Sequence, residues 1–253
     1  MKASGFSSLS ELRRAAARFG QIATLARSVA LTYQLWYITR MEFDHLLQVV
    51  GDEPVFETGL LLAGDVDVAD VHKQLSRWTT AGRLYQLRRG LYALAPPYQK
   101  ALPHPFTVAN QLVRGSYVSC QSALAHYGHI PETVVAVTSV ATARPGRWDT
   151  PLGRFECRHI RPGLLWGYRR LELGSRQYAF VATPEKALLD LAHLQPGGDA
   201  LVFLRELRLQ NLDLLDLDEL ARQADRTSSP KLRRAASAVA ELARAELSDY
   251  EAL

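Results

Sequence analysis

The sequence predicts an α+β chain in two structured parts: a helical part ending in a hairpin, then a small sheet with helices before and after it. Three observations carry this. Val68, Val71, Leu75 and Trp78 recur at steps of three, four and three residues, one face of a helix. Gly82 can stop that helix, and Leu84–Leu87 and Leu91–Leu94 then flank Arg88-Arg89-Gly90 as two strands around a turn. Further on, Val134–Val140 is a β-branched run, and Gly153–Ile160, Trp166–Leu173 and Gln177–Ala182 read as strands. Around them the pattern is helical, from Val108–Val113 and Ser119–Tyr127 before to several segments after residue 183.

The 253 residues suffice for two ordinary domains, and 47% hydrophobic content suffices for a core. Cys120 and Cys157 are the only cysteines, too few for a disulfide scaffold or a four-cysteine zinc site. Residues 1–20 carry Arg13, Arg14 and Arg18 where a secretory signal needs an apolar stretch. The uncharged run Ser28–Thr39 has 12 residues, too short to cross a bilayer. The expectation is a cytoplasmic protein without a membrane partner. The net charge of +4 is uneven: −3 over residues 1–70, +11 over 71–170 and −4 over 171–253. Val71–Pro131 contains no acidic residue, and this stretch begins inside the helix predicted from Val68, Val71, Leu75 and Trp78. Phosphate-facing surfaces exclude acids in this way.

Taken in order, Leu9, Leu12, Ala16, Phe19 and Ala23 suggest an amphipathic helix within an N-terminal extension, residues 1–37. Thr39, with Glu42 three residues on, can cap a helix running to Val50. Val55-Phe56 is expected as a brief strand and Thr58–Ala63 as a short helix. Asp65 or Asp67 can cap the next helix. Three helices followed by a hairpin are the order of a winged helix-turn-helix, expected over residues 38–97. Ala95–Pro105, with four prolines, reads as a linker, and residues 98–253 as the C-terminal domain. There Thr183-Pro184-Glu185 opens a helix with a capping residue, Pro at its first position and an early acid. Asp199 starts one helix, Asp216-x-x-Glu219 caps another and Ser229-Pro230 starts a third.

On the helix after Val68, Lys73, Gln74 and Arg77 suit base edges, Arg for guanine and Gln for adenine. Ser76, Thr80 and Arg83 suit phosphates, and Tyr85, Arg88 and Arg89 lie on the wing. Double-stranded DNA is the partner these residues imply. A second basic group, Arg144, Arg147, Arg154, Arg158 and Arg161 with Trp148, centres on an expected loop tip at Arg144–Arg147. An extended DNA footprint, a partner surface and a solvated face all fit it. Catalysis finds little support. Cys120, His126 and His129 have the residue types of a thiol or metal site, but helical geometry separates Cys120 from His126 and further ligands are lacking. A buried thiol with surface imidazoles is the expectation. Gly115-Ser116 has the start of a nucleotidyltransferase motif without the acidic pair, and no Walker glycine loop is present. No enzyme activity, cofactor or metal is expected.

Three segments in order, RRGLYAL (88–94), SALAHYG (122–128) and FVATPEKALLDL (180–191), resemble the AbiEi-type antitoxins. The resemblance covers residues 40–195. It implies the antitoxin half of a type IV toxin–antitoxin, or abortive-infection, system: a winged helix-turn-helix joined to a C-terminal antitoxin domain. It further implies repression of the protein's own operon through inverted repeats, by a monomer or a DNA-induced dimer. It implies neutralisation of a nucleotidyltransferase-like toxin without a stable complex. The alternative is a stand-alone repressor whose second domain senses a ligand or dimerises.

Overall fold

The computed structural model describes residues 42–63, 66–132 and 134–251. These form a mixed α+β structure with eight α-helices and two sheets. The expected extension over residues 1–37 and the Thr39 cap lie outside the described residues. Residues 42–51 and 59–77 belong to one compact unit, residues 52–58 and 78–251 to another. The division does not fall at Pro97, because the hairpin groups with the second unit.

In the first unit, α1 (Phe43–Val50) buries Phe43, Leu46 and Val50, one helical stripe. It ends at Gly51, whose φ of +58° suits glycine and whose N–H donates to the Leu47 carbonyl. The expected short helix after Thr58 is a 3-10 turn, Thr58–Leu62. Helix α2 (Val68–Thr80) starts at Asp67, whose carboxylate accepts the Ala69 N–H at 2.8 Å. Val71 and Leu75 are buried, as the periodicity requires, whereas Val68 is half exposed.

The second unit opens with a three-stranded antiparallel sheet in the order β1 (Phe56–Glu57), β3 (Leu91–Leu94), β2 (Leu84–Arg88). Gly90, at φ +79°, makes the turn between β2 and β3. Arg88 does not project from this turn as expected. Its Nε donates to the Leu112 carbonyl at 3.0 Å, and its Nη2 donates to Gln111 O and to Glu57 Oε1, each at 3.2 Å. Those carbonyls end helix α3 (Pro105–Leu112), where orphan acceptors favour a cation. The expected linker is likewise held. Gln177 accepts the His104 N–H at 2.7 Å and donates to Leu102 O at 2.9 Å, and α3 begins at Pro105.

The larger sheet has six strands in the order β6-β7-β5-β4-β9-β8. These are β4 (Tyr117–Val118), β5 (Ala136–Ala141), β6 (Gly146–Thr150), β7 (Gly153–His159), β8 (Tyr168–Glu172) and β9 (Tyr178–Ala182). β5 runs parallel to β7, β4 parallel to β9, and the remaining pairs are antiparallel. β7 shows why: Phe155 and Cys157 are buried while Arg154, Glu156 and Arg158 are not, the period of a strand with one covered face. β4, too short to be read from sequence, sits in the middle. Where it ends, α3 takes over, with Thr107 donating its hydroxyl to Tyr178 O and Asn110 accepting the Phe180 N–H. Of the loop tip expected at Arg144–Arg147, Arg144 and Pro145 lie in the exposed connection between β5 and β6, while Gly146 and Arg147 are a correction: they begin an edge strand, Gly146–Thr150, hydrogen-bonded to β7.

Helix α4 (Cys120–His126) follows β4, and α5 (Pro184–Leu194) follows β9. Thr183 caps α5 by accepting the Lys186 N–H, as its sequence predicts. Residues 185–192 of α5 are all buried, among α4, α7 (Leu217–Arg226) and α8 (Pro230–Glu251). α6 (Leu201–Glu206) starts after Ala200 rather than at Asp199, while Asp216 caps α7 by accepting the Glu219 N–H at 2.8 Å.

Arg88→Ala strips the end of α3 of its donors, and the expected cost is about 2 kcal/mol. Arg88→Lys recovers only part of it, because an ammonium lacks the planar fork. Urea unfolding followed by circular dichroism checks this, and an unshifted midpoint for Arg88→Ala contradicts it.

Candidate functional site

The residues expected to meet DNA divide between the two units. Lys73, Ser76, Arg77 and Thr80 are exposed on α2, at spacings of three, four and seven residues, and so form one stripe. Lys73 and Arg77 have no acidic partner among the described residues. Gln74 is a correction. Only 4% exposed, it presents no amide to a base edge, and its buried Nε2 has no hydrogen-bond partner among the described residues. The helix turns by 100° per residue, so Gln74 falls beside Val71, Leu75 and Trp78 on the covered side. In the second unit, Arg83 and Arg89 are exposed and Tyr85 is half-buried. Arg88 is committed to Glu57 and to the end of α3, where its role is structural.

The second basic group is laced with acids. Arg147 pairs with Glu156 at 3.3 Å, Arg158 with the same carboxylate at 3.8 Å, and Arg154 with Asp149 at 3.2 Å. Arg144 and Arg161 remain exposed without an acidic partner among the described residues. No continuous phosphate track results.

A buried polar centre was not foreseen. Lys186 and Asp190, one turn apart on α5, form an ion pair, each side chain 1% exposed. The other Asp190 oxygen accepts the Tyr117 hydroxyl at 2.9 Å and the Ser119 hydroxyl at 2.8 Å. The Lys186 ammonium lies 4.9 Å from the centroid of Trp166 and 5.5 Å from that of Tyr117, so two ring faces complete its surroundings. Gly167 is required beside it: φ is +75°, and a Cβ would lie 2.8 Å from Lys186 Cγ. The signal was present in FVATPEKALLDL. Ala187, Leu188, Leu189, Leu191 and Ala192 leave α5 no polar face, so its charges must find partners inside.

This centre shapes its neighbours. Ser119 stands at the start of α4 but gives its hydroxyl to Asp190 instead of capping the helix. Cys120 follows at φ +54°, a conformation costly for a side chain with a Cβ. Burial, and then the Asp190 carboxylate, push the Cys120 thiol well above its ordinary value. Tyr117 is pushed up by burial first and by the same carboxylate second, so it stays a donor. A thiol held protonated is a poor nucleophile. His129 is not the surface imidazole expected: it is 3% exposed, with Nδ1 3.1 Å from the Gln210 carbonyl. Among the described residues, no three His, Cys, Asp or Glu side chains are grouped to hold a metal ion. None of their helices is long and apolar enough to cross a membrane.

Asp190→Ala leaves a buried ammonium unpaired and is expected to cost about 3–5 kcal/mol, whereas the double change Lys186→Met with Asp190→Leu costs far less. Thermal and urea unfolding of the two variants check this, and equal losses overturn it. Both cysteines are buried. Neither thiol should react with a maleimide in the folded protein, and both should react in urea. Rapid labelling of the folded chain would contradict the burial described.

No family model matches the chain, and no curated protein matches it. Among solved structures, it is similar to the crystal structure of RV2827C protein from Mycobacterium tuberculosis. The two share 20% identity at a TM-score of 0.46, covering 77% of this chain and 74% of that one.

Proposed function

We propose that this protein is a DNA-binding antitoxin and autorepressor of the AbiEi type, with a winged helix-turn-helix reading operator DNA. The observation that carries the reading is the stripe of Lys73, Ser76, Arg77 and Thr80 on α2, at the start of a 61-residue stretch, Val71–Pro131, without an acid. Long-range repulsion from acids would oppose approach to phosphates, and beyond Asp70, in the first turn of α2, the chain carries no acid before Glu132. The order of helix, turn, helix and hairpin supports it further, with Arg89 exposed at the hairpin turn.

In this reading Arg77 takes a base edge, Lys73 a base edge or a phosphate, and Ser76, Thr80, Arg83 and Arg89 take phosphates. Tyr85 flanks the hairpin contact. Gln74 and Arg88 support the fold and leave the DNA-facing set. The antitoxin activity is assigned to the second domain, through the likeness of SALAHYG and FVATPEKALLDL to that family. Its target is a nucleotidyltransferase-like toxin, countered without a lasting complex.

The test is a mobility shift on the DNA upstream of the protein's own gene. Four cations, Lys73, Arg77, Arg83 and Arg89, correspond to a log–log salt slope of about −4 per copy. Arg77→Ala should relax base preference, whereas Arg89→Ala should weaken binding to every sequence alike. Equal affinity for scrambled DNA would sink operator recognition. Co-expression with the adjacent reading frame tests the second activity, and growth unaffected by the antitoxin would remove it.

A further inference from the structure

On the second unit a cleft of about 430 Å³, lined by none of the residues assigned to duplex DNA, opens between α3, the β8–β9 turn and residues 53–55. Its lining is of two kinds. Tyr168, Tyr178 and Phe180 stay 40%, 44% and 39% exposed, a high fraction for aromatic rings. The β8–β9 register sets Arg170 opposite Phe180 and Glu172 opposite Tyr178, so these side chains share one face of the sheet. The rings are held. Phe180 meets Tyr168 and Tyr178 edge-on, with centroids 5.8 and 6.2 Å apart, and the Arg170 guanidinium lies 4.1 Å over Tyr178. Tyr168 is stacked on Tyr117 at 4.6 Å, and the Tyr117 hydroxyl is fixed by Asp190.

The second kind is polar. Arg176 lines the cleft from the β8–β9 turn and is exposed, with no ion-pair partner among the described residues. Ser175 and Arg176, at φ +47° and +58°, are the central residues of the β8–β9 hairpin turn, closed by the Gln177 N–H on the Gly174 carbonyl at 2.8 Å, and this turn fixes where Arg176 stands. Arg114, on the opposite wall, shares Glu57 with Arg88. Asn110 and Ser116 also line the cleft. Asn110 Nδ2 and Ser116 Oγ are shielded from solvent and lack a hydrogen-bond partner among the described residues. Aromatic faces, an unpaired cation and unsatisfied amide and hydroxyl groups are the complement of an unpaired nucleotide: a flat base, an anionic phosphate and polar edges.

We infer that this cleft binds an unpaired nucleotide, its base stacked on one of the two perpendicular rings of Tyr178 and Phe180 with its edge to the other, and its phosphate at Arg176. The nucleotide is either free or part of a single strand, and the test separates the two. The full-length protein is titrated with nucleoside monophosphates by calorimetry, and with a short fluorescent single strand by anisotropy. Saturable binding of monophosphates identifies a free ligand, and binding of the strand alone identifies a strand; either supports the cleft if Tyr178→Ala weakens it by about fivefold to a hundredfold. Arg176→Asn, which tolerates the positive φ, should weaken it as well. Arg176 is exposed, so its variant should keep the unfolding midpoint, and Tyr178→Phe, which keeps the ring contacts with Arg170 and Phe180, should keep both the midpoint and the binding. An abasic strand or a polyglutamate peptide binding as tightly as the normal strand would overturn base recognition, as would unaltered affinity in both Tyr178→Ala and Arg176→Asn. Lys73→Ala should leave this binding intact while weakening duplex DNA, which keeps the outcome separate from operator recognition.

Discussion

A carboxylate closed off from water needs donors at both of its oxygens, and Asp190 finds them in three places in the chain. Lys186 comes from its own helix, Tyr117 from the two-residue strand in the middle of the sheet, and Ser119 from the start of the next helix. An ion pair in this setting adds little net stability over an apolar replacement, because desolvation offsets the attraction. Its value lies in specificity: only one placement of β4 against α5 satisfies all four groups. The strained backbone at Cys120 and the uncapped start of α4 follow from that placement.

The same centre links the interior to the surface. Tyr117 is locked at its hydroxyl and stacks on Tyr168, which in turn abuts Phe180. A buried charge pair is thereby coupled, through three rings, to an exposed aromatic face. In the same unit, Arg88 and Arg114 converge on Glu57 and tie the small sheet to the end of α3. The basic residues of this chain therefore do two different jobs. Some complete hydrogen-bond sets within the fold, and Lys73, Arg77, Arg89 and Arg176 face outward.

Much of the fold was legible because it rests on local chemistry. The stripe of α2, the glycine turn of the hairpin, the Thr183-Pro184 start of α5 and the Asp216 cap of α7 each depend on residues within a turn or two. What escaped depends on distant partners. The apolar residues around Lys186 and Asp190 mark the pair as buried, but its other partners, Tyr117, Ser119 and Trp166, come from segments that no local pattern connects to α5. Arg88 carries a group suited to DNA, but the carbonyls waiting for it cannot be read locally, whereas the burial of Gln74 follows from its helical spacing to Val71, Leu75 and Trp78. Gly146–Thr150 alternates in exposure as a strand does, but Pro145-Gly146 at its start is a turn signal and Trp148 is the one large apolar residue on its covered face.

The gap beside β4 has a consequence of its own. A two-residue strand leaves the inner edge of β9 with open hydrogen-bonding groups in the middle of a sheet, the kind of edge that recruits foreign strands and seeds aggregation. Thr107 and Asn110 fill it from a helix, one donating to Tyr178 O and one accepting from Phe180 N. Two side chains thus stand in for a length of backbone. They answer the alternate groups that a neighbouring strand would have answered, and they cannot extend the ladder any further. The sheet is terminated internally, by chemistry that ends where the helix ends.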